Sequence, residues 1–184
     1  MQLRNKRQAP LKPILSDALK PGLQVVFCGT AVGAASARKQ AYYAGPNNRF
    51  WKTIQEIGLT PSRWEPARYM ELLEIGIGFT DLAKSVAGND HILRPSHFGR
   101  KELTQKILEF RPRFLAFTSK RAAEEYLEES VSYGLQQPQI GDTKIFVLPS
   151  PSGAAQKYWD ATRWKQLAEL ISAQSSVTYL PLRL

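Results

Sequence analysis

This chain has few of the residues that build metal centres. Its 184 residues include one cysteine and two histidines. A single cysteine excludes a four-cysteine iron–sulfur cluster and a four-cysteine structural zinc site. No apolar run is long enough to cross a bilayer, and the amino terminus lacks the apolar core of a signal peptide. We therefore expect a cytoplasmic protein with no metal, no cofactor and no membrane partner.

Positive charge is in excess. The formal net charge is +9 at pH 7, which suits a polyanionic partner such as DNA, although a basic soluble protein without such a partner is the alternative. Residues 1–20 carry five positive side chains against Asp17, with Pro10 and Pro13 among them. We interpret residues 1–20 as a basic N-terminal arm and residues 21–184 as a single domain, since 43% hydrophobic content is enough for one core.

Apolar runs alternate with amphipathic segments along the chain. The runs predict strands at residues 23–28, 76–82, 113–117 and 144–148. Helical spacing of apolar residues predicts helices at 48–57, 66–74, 99–110, 119–128 and 157–172. The stretch between 129 and 143 contains Gly134, Pro138 and Gly141 and is interpreted as turns. This alternation predicts an α/β fold, a three-layer α/β/α sandwich with a central, mostly parallel sheet.

Two of the predicted strands end in turns made of small residues. The strand at 23–28 leads into residues 29–37 (GTAVGAASA), and the strand at 144–148 leads into residues 149–155 (PSPSGAA). Ligand sites in open α/β sheets form at the carboxyl ends of strands. Turns without bulky side chains let a ligand approach the backbone and offer N–H groups to anions.

These two turns, together with residues 45–51 (GPNNRFW), resemble the motifs of the uracil-DNA glycosylase superfamily. The similarity is greatest to its mismatch-specific (thymine/uracil mismatch) branch and spans roughly residues 23–170. It implies a monomeric, monofunctional DNA glycosylase that flips uracil, or another deaminated base, out of single- or double-stranded DNA and hydrolyses its N-glycosidic bond. A non-catalytic binder of damaged or mismatched DNA and a hypoxanthine-DNA glycosylase are the alternatives. A hydrolase acting on a free nucleotide is disfavoured, because the chain has no Gly-x-Ser-x-Gly motif.

The resemblance implies a base-binding set. Tyr43 stands where relatives place an aromatic residue against the flipped base, and stacking is worth about 1–3 kcal/mol per base. Backbone groups of Gly29, Thr30 and Ala31 would read the base, with Asn89 as a further polar contact. Relatives carry Asn or Asp at the position of Ala31, and an alanine side chain cannot form a hydrogen bond.

A replacement for the missing catalytic group must come from another loop. Asp81 follows residues 78–80 of the predicted strand, whose carboxyl end should open into the same pocket, and is the first candidate for orienting water and balancing the positive charge of the sugar. Asp90, in a loop that resembles one of the distant superfamily branches, is the second candidate.

The resemblance also implies a DNA-binding set. Relatives hold a DNA phosphate at the second turn and insert the residues that follow into the vacated space, which here would be a small wedge. None of the motifs supplies a pocket lysine of the kind that lyases use, which favours a monofunctional enzyme. The predicted DNA-binding residues are Ser36, Ser150, Ser152, Gly153, Ala154, Ala155, Gln156 and Lys157.

Overall fold

A five-stranded sheet forms the centre of the molecule. The computed structural model describes residues 12–88 and 92–175. The strands are β1 (Val25–Val32), β2 (Ile77–Ala87), β3 (Phe114–Phe117), β4 (Gly134–Ile140) and β5 (Thr143–Val147). Their spatial order is β2-β1-β3-β5-β4, with all neighbours parallel except β4, which runs antiparallel to β5. The predicted mostly parallel sheet is confirmed.

Helices cover both faces of the sheet, as a three-layer sandwich requires. They are α1 (Ala34–Lys39), α2 (Phe50–Glu56), α3 (Arg100–Phe110), α4 (Lys120–Leu127) and α5 (Thr162–Ser175), and 3₁₀ helices cover Pro66–Ile75, Pro95–His97 and Gly153–Tyr158. None of the helices in the described part of the chain is long and apolar enough to span a membrane.

Alternating side chains of β1 separate two cores. Val25 and Phe27 face a cluster that includes apolar residues of α2 and α5. Val26 and Cys28 face a second cluster that includes apolar residues of α3 and α4. Because successive strand residues point to opposite faces and both faces are covered, residues 25–28 of β1 are all apolar and buried. β1 lies inside the sheet, between β2 and β3.

Three predictions about elements are corrected. The region predicted as turns contains β4, an edge strand whose Pro138 is tolerated because one side of an edge strand needs no ladder partner. The strand predicted to end at residue 82 continues to Ala87, so Asp81 lies inside β2 and not in a loop after it. The last helix begins at Thr162, because a 3₁₀ turn precedes it where the helix was predicted to start.

The described end of the stretch 1–20 lies against the sheet. Leu15 and Ala18 are buried. Ala18 exchanges backbone hydrogen bonds with Phe79 of β2, each 2.9 Å long, and the Ile14 N–H donates to the Lys84 carbonyl. This segment therefore covers the outer edge of β2.

Candidate active site

A cavity of about 900 Å³ opens at the carboxyl edge of the sheet. Its lining comes from the end of β1, from the segments that follow β3 and β5, and from the loop between α1 and α2. Both small-residue turns predicted from the sequence contribute to it. The sheet itself creates the opening, because β3 pairs with β1 only as far as Cys28 while β1 continues to Val32.

The predicted base-binding residues of the first turn are strand residues. Gly29, Thr30 and Ala31 extend β1 along β2 and line the cavity, where no β3 residue pairs with them. The Thr30 hydroxyl lies 3.1 Å from the Ser119 hydroxyl, within hydrogen-bond distance. Phe27 and Cys28, which precede these residues in β1, are fully buried and are not among the residues that line the cavity.

Asp81 is buried in the wall of this cavity, with 6% of its surface exposed. Burial raises the pKa of its carboxyl group to about 7, and nearby Asp17 adds to this effect while Lys84 opposes it. No described residue donates a hydrogen bond to this carboxyl group. A buried carboxylate without a donor has unused acceptor capacity, which a water or a ligand in the cavity can fill.

Several charged side chains lie close to Asp81 and are linked to one another through Asp17. Asp17 accepts from Lys84, Lys106 and Thr80 at 2.7, 2.6 and 2.7 Å. Burial by itself raises the pKa of Asp17, but the two lysines and the threonine hold it below its ordinary value. The Lys84 ammonium also donates to the Tyr42 hydroxyl at 3.1 Å. Asp17 thus has direct partners, whereas Asp81 has none within the ranges 12–88 and 92–175.

Tyr43 lies in the cavity wall with its ring held from two directions. One face stacks on Phe50, with ring centroids 4.0 Å apart and planes inclined by 11°. Its hydroxyl lies 3.2 Å from the Thr118 hydroxyl, and burial raises the pKa of the phenol. The backbone has a positive φ of 52°, an uncommon conformation for a non-glycine residue. Tyr43 therefore presents a fixed aromatic ring to the cavity.

The loop after β5 packs directly on the loop before α2. The Arg49 N–H donates to the Pro151 carbonyl at 2.9 Å, and the Trp164 indole N–H donates to the Pro149 carbonyl at 3.0 Å. A Cβ added to Gly153 would lie 2.7 Å from the Asn47 Cβ, so only glycine allows this approach. The motif at residues 45–51 and the turn at residues 149–155 thus pack together as one wall of the cavity.

The predicted DNA-binding residues fall into two groups. Those that line the cavity are Ser36, Ser150, Ser152, Gly153, Ala154 and Ala155. Gln156 and Lys157 are exposed but lie outside the lining. The Ser36 hydroxyl accepts from the Ala44 N–H at 2.9 Å and so shapes the loop, and Ser152 accepts from the Ala154 N–H at 3.3 Å. The Gly153 N–H, at the first position of a 3₁₀ helix, has no intrahelical acceptor.

Asn89 and Asp90 lie outside the described residues. Gly88, which precedes them, lines the cavity and donates its N–H to the Val32 carbonyl at 2.9 Å. In the described part of the chain, no three histidine, cysteine, aspartate or glutamate side chains lie close enough to hold a metal ion.

Sequence reasoning missed several cavity residues. Thr118, Ser119 and Lys120 follow β3, and their place at the carboxyl end of a predicted strand was a signal that could have found them. Lys120 matters most, since the motifs offered no pocket lysine. Tyr133 and Tyr158 also line the cavity. Tyr133 precedes β4, so it could not be placed without knowing that β4 exists.

The fold and the cavity together define the class of protein: an α/β domain that binds its ligand at the carboxyl edge of a parallel sheet, with a buried carboxyl group in the site. A family model described as the uracil DNA glycosylase superfamily matches residues 16–171. The chain belongs to the uracil DNA glycosylase superfamily. The resemblance seen in the sequence is confirmed at this level, and membership supports a DNA glycosylase activity with DNA as the substrate.

Proposed function

We propose that this protein is a monofunctional DNA glycosylase that removes uracil, or another deaminated base, from DNA. The observation that carries the proposal is Asp81, a buried carboxyl group with a pKa of about 7 that lines the cavity and accepts no hydrogen bond from any described residue. A group that titrates near neutral pH is suited to general acid–base chemistry. Perturbed carboxyl groups in clefts are also typical of functional sites.

Tyr43 and β1 would hold the extruded base. The base enters the cavity and stacks against the Tyr43 ring, which Phe50 and Thr118 keep in place. Main-chain groups of Gly29 to Ala31 line the cavity on the side that lacks a strand partner, so they are available to the polar edge of the base. Donors aimed at the departing base stabilise the negative charge that develops on it.

Asp81 would act on the sugar and on water. When ionised, its carboxylate accepts a hydrogen bond from a water molecule and orients that water toward the anomeric carbon. Its negative charge also stabilises the positive charge that develops on the sugar as the glycosidic bond breaks. Ala31 contributes only backbone groups, so the side chain that relatives use at this position is replaced from β2.

The loop at residues 150–155 would bind the DNA backbone. Ser150, Ser152 and Gly153 line the cavity, and phosphate contacts by hydroxyl and backbone N–H groups position DNA without reading its sequence. The net charge of +9 favours association with a polyanion. Alanines 154 and 155 form a small wedge, which supports quick release of the abasic product.

A second candidate function is a non-catalytic binder of damaged DNA. The observation that favours it is Ala31, which lines the cavity with a methyl group where relatives have a side chain that acts on water. Such a binder would retain affinity for uracil-containing DNA and release no base.

Base release from labelled oligonucleotides tests the proposal. Uracil and hypoxanthine substrates, single- and double-stranded, are incubated with the wild type, with Asp81→Asn and with Asp142→Asn, followed by alkaline cleavage. Asp142 is exposed in the β4–β5 turn and is a matched control. We expect the wild type and Asp142→Asn to release base, and Asp81→Asn to be slower by about 100-fold or more.

The other outcomes assign the function differently. Equal release by Asp81→Asn and the wild type would reject Asp81 as the catalytic group. Binding without release by the wild type would identify a binder. Release of hypoxanthine and not of uracil would identify hypoxanthine as the deaminated base that the enzyme removes.

A further inference from the structure

Two tyrosines line the end of the cavity that lies farthest from Asp81 along the sheet. Tyr133 directly precedes β4 and Tyr158 ends the 3₁₀ helix after β5. Because β4 runs antiparallel, its first residues lie at the edge where the parallel strands finish. The strand order places β2, with Asp81, at one side of the sheet and β4 at the other.

The Tyr158 ring is exposed, the Tyr133 ring is partly exposed, and neither hydroxyl group has a hydrogen-bond partner among the described residues. Tyr158 is 68% exposed, which is unusual for an aromatic side chain next to a cavity. Tyr133 is half-buried, with its ring packed on the core that α3 and α4 cover. No described residue donates or accepts a hydrogen bond at either hydroxyl group. The fold therefore does not explain why Tyr158 is aromatic.

Each ring has a lysine ammonium over its face, which must move to a phosphate when a base stacks there. The Lys120 ammonium lies 4.8 Å from the centroid of the Tyr133 ring, and the Lys157 ammonium lies 6.0 Å from that of Tyr158. Lys120 itself lines the cavity. Aromatic rings interleaved with cations are the arrangement that binds unpaired nucleic acid, since bases stack on the rings while the cations approach the phosphates.

We propose that Tyr133 and Tyr158 form a stacking platform for a second, unpaired nucleobase of the strand whose target base enters the cavity. Lys120 and Lys157 bind the phosphates on either side of that base. The platform is separate from the Tyr43 wall, which holds the target base itself. This inference rests on the proposed function, because it requires DNA as the ligand.

Binding to a single-stranded oligonucleotide with an uncleavable abasic-site analogue tests the platform. Dissociation constants are measured by fluorescence anisotropy for the wild type, Tyr133→Ala, Tyr158→Ala and the corresponding phenylalanine variants. Leu135→Ala is the control, because Leu135 is a half-exposed apolar residue of β4 outside the cavity lining. A 2-aminopurine base beside the abasic site reports stacking by the quenching of its fluorescence.

We expect each alanine variant to raise the dissociation constant by about 5- to 100-fold and to relieve the quenching. The phenylalanine variants, which keep the ring, and Leu135→Ala should bind as the wild type does. Because Tyr158 is 68% exposed, Tyr158→Ala keeps the test valid if Tyr133→Ala fails to fold.

The outcomes separate this inference from the proposed function. Unchanged affinity and quenching in well-folded alanine variants, with a wild type that binds DNA and releases base, would overturn the platform alone. Tight binding that is lost in the phenylalanine variants would replace stacking with a role for the hydroxyl groups. A wild type that neither binds DNA nor releases base would overturn both proposals.

Discussion

Gly29 and Asp81 lie opposite each other in the parallel β1–β2 ladder, and the Asp81 carboxyl group occupies the space where a Gly29 side chain would begin. A Cβ added to Gly29 would collide with Asp81 Oδ1 and would lie 3.9 Å from the Tyr43 hydroxyl oxygen. The glycine is therefore required by the carboxyl group and not by its own backbone conformation, since its φ is not positive.

Gly29→Ala should displace Asp81 and stop base release. Overpacking of a buried site costs about 1–3 kcal/mol of unfolding free energy. Gly33→Ala is the control for stability, because a Cβ there meets no atom within 4 Å. Chemical denaturation and the base-release assay check both effects. Wild-type activity and stability in Gly29→Ala would contradict the assigned position of the carboxyl group.

Asp81→Asn should stabilise the protein above neutral pH. In the folded protein the pKa of Asp81 is about 7, against 3.8 for an ordinary aspartate. Between about pH 4 and about pH 7 the carboxyl group is ionised in the unfolded chain but protonated in the folded protein, so the wild type loses stability as the pH rises. Above about pH 7 the group is ionised in both states, and the loss of stability is complete. The amide does not titrate.

Thermal unfolding of the two proteins measures this difference. At about pH 8 we expect Asp81→Asn to be more stable by about 2–4 kcal/mol, with the difference disappearing near about pH 4. The titration of Asp17 is common to both proteins and cancels. A difference that does not change with pH would show that Asp81 is ionised at an ordinary pKa.

Base release should increase with pH. If ionised Asp81 activates the water, kcat/KM measured at limiting substrate rises from about pH 5 to about pH 8 with a midpoint near 7. The residual activity of Asp81→Asn should not follow this curve. A flat wild-type profile over the same range would argue against a role for Asp81 as the base.

Gly153→Ala should separate the loop after β5 from the loop before α2. The new Cβ would lie 2.7 Å from the Asn47 Cβ and 3.3 Å from the Asn47 carbonyl oxygen. We expect about 1–3 kcal/mol of destabilisation and weaker DNA binding. Gly45→Ala is the matched control, because its Cβ would meet Asn48 only at 3.9 Å, an ordinary contact. Equal DNA affinity of the two variants would contradict the prediction.

Lys120 should not form a covalent bond with the sugar. A monofunctional enzyme leaves an abasic site that breaks only in alkali, and borohydride should trap no protein–DNA adduct. At saturating DNA, Lys120→Ala should therefore release base at the wild-type rate, although it binds DNA more weakly. Strand cleavage without alkali, or a borohydride adduct that Lys120→Ala abolishes, would identify a lyase.

The sequence predicted the parts of the fold that apolar periodicity controls. The strand predicted at residues 23–28 is confirmed from Val25 to Cys28, which are buried, but its continuation through Gly29 to Val32 has the composition of a turn. β4 was missed because Gln136, Gln137 and Pro138 are typical of loops, and an edge strand imposes little constraint on its exposed side.

The candidate site could also be predicted only in part from the sequence. Asp81 could be named from its place near the end of an apolar run, but its burial and the matching gap at Gly29 are tertiary contacts. Tyr133 reaches the cavity through the position of β4 in the strand order, which local sequence does not encode. The roles of the motif residues are predictions that the experiments above address.

The order of the strands sets a length scale for the ligand. β2 and β4 are four strand spacings apart, which at about 4.8 Å per spacing is roughly 19 Å. Stacked nucleotides advance by about 3.4 Å, so several are needed to cover that width. A mononucleotide can fill only one end of such a site, and only a polymer can fill both. The width of the sheet therefore favours a strand of nucleic acid over a free nucleotide as the ligand of the whole cavity.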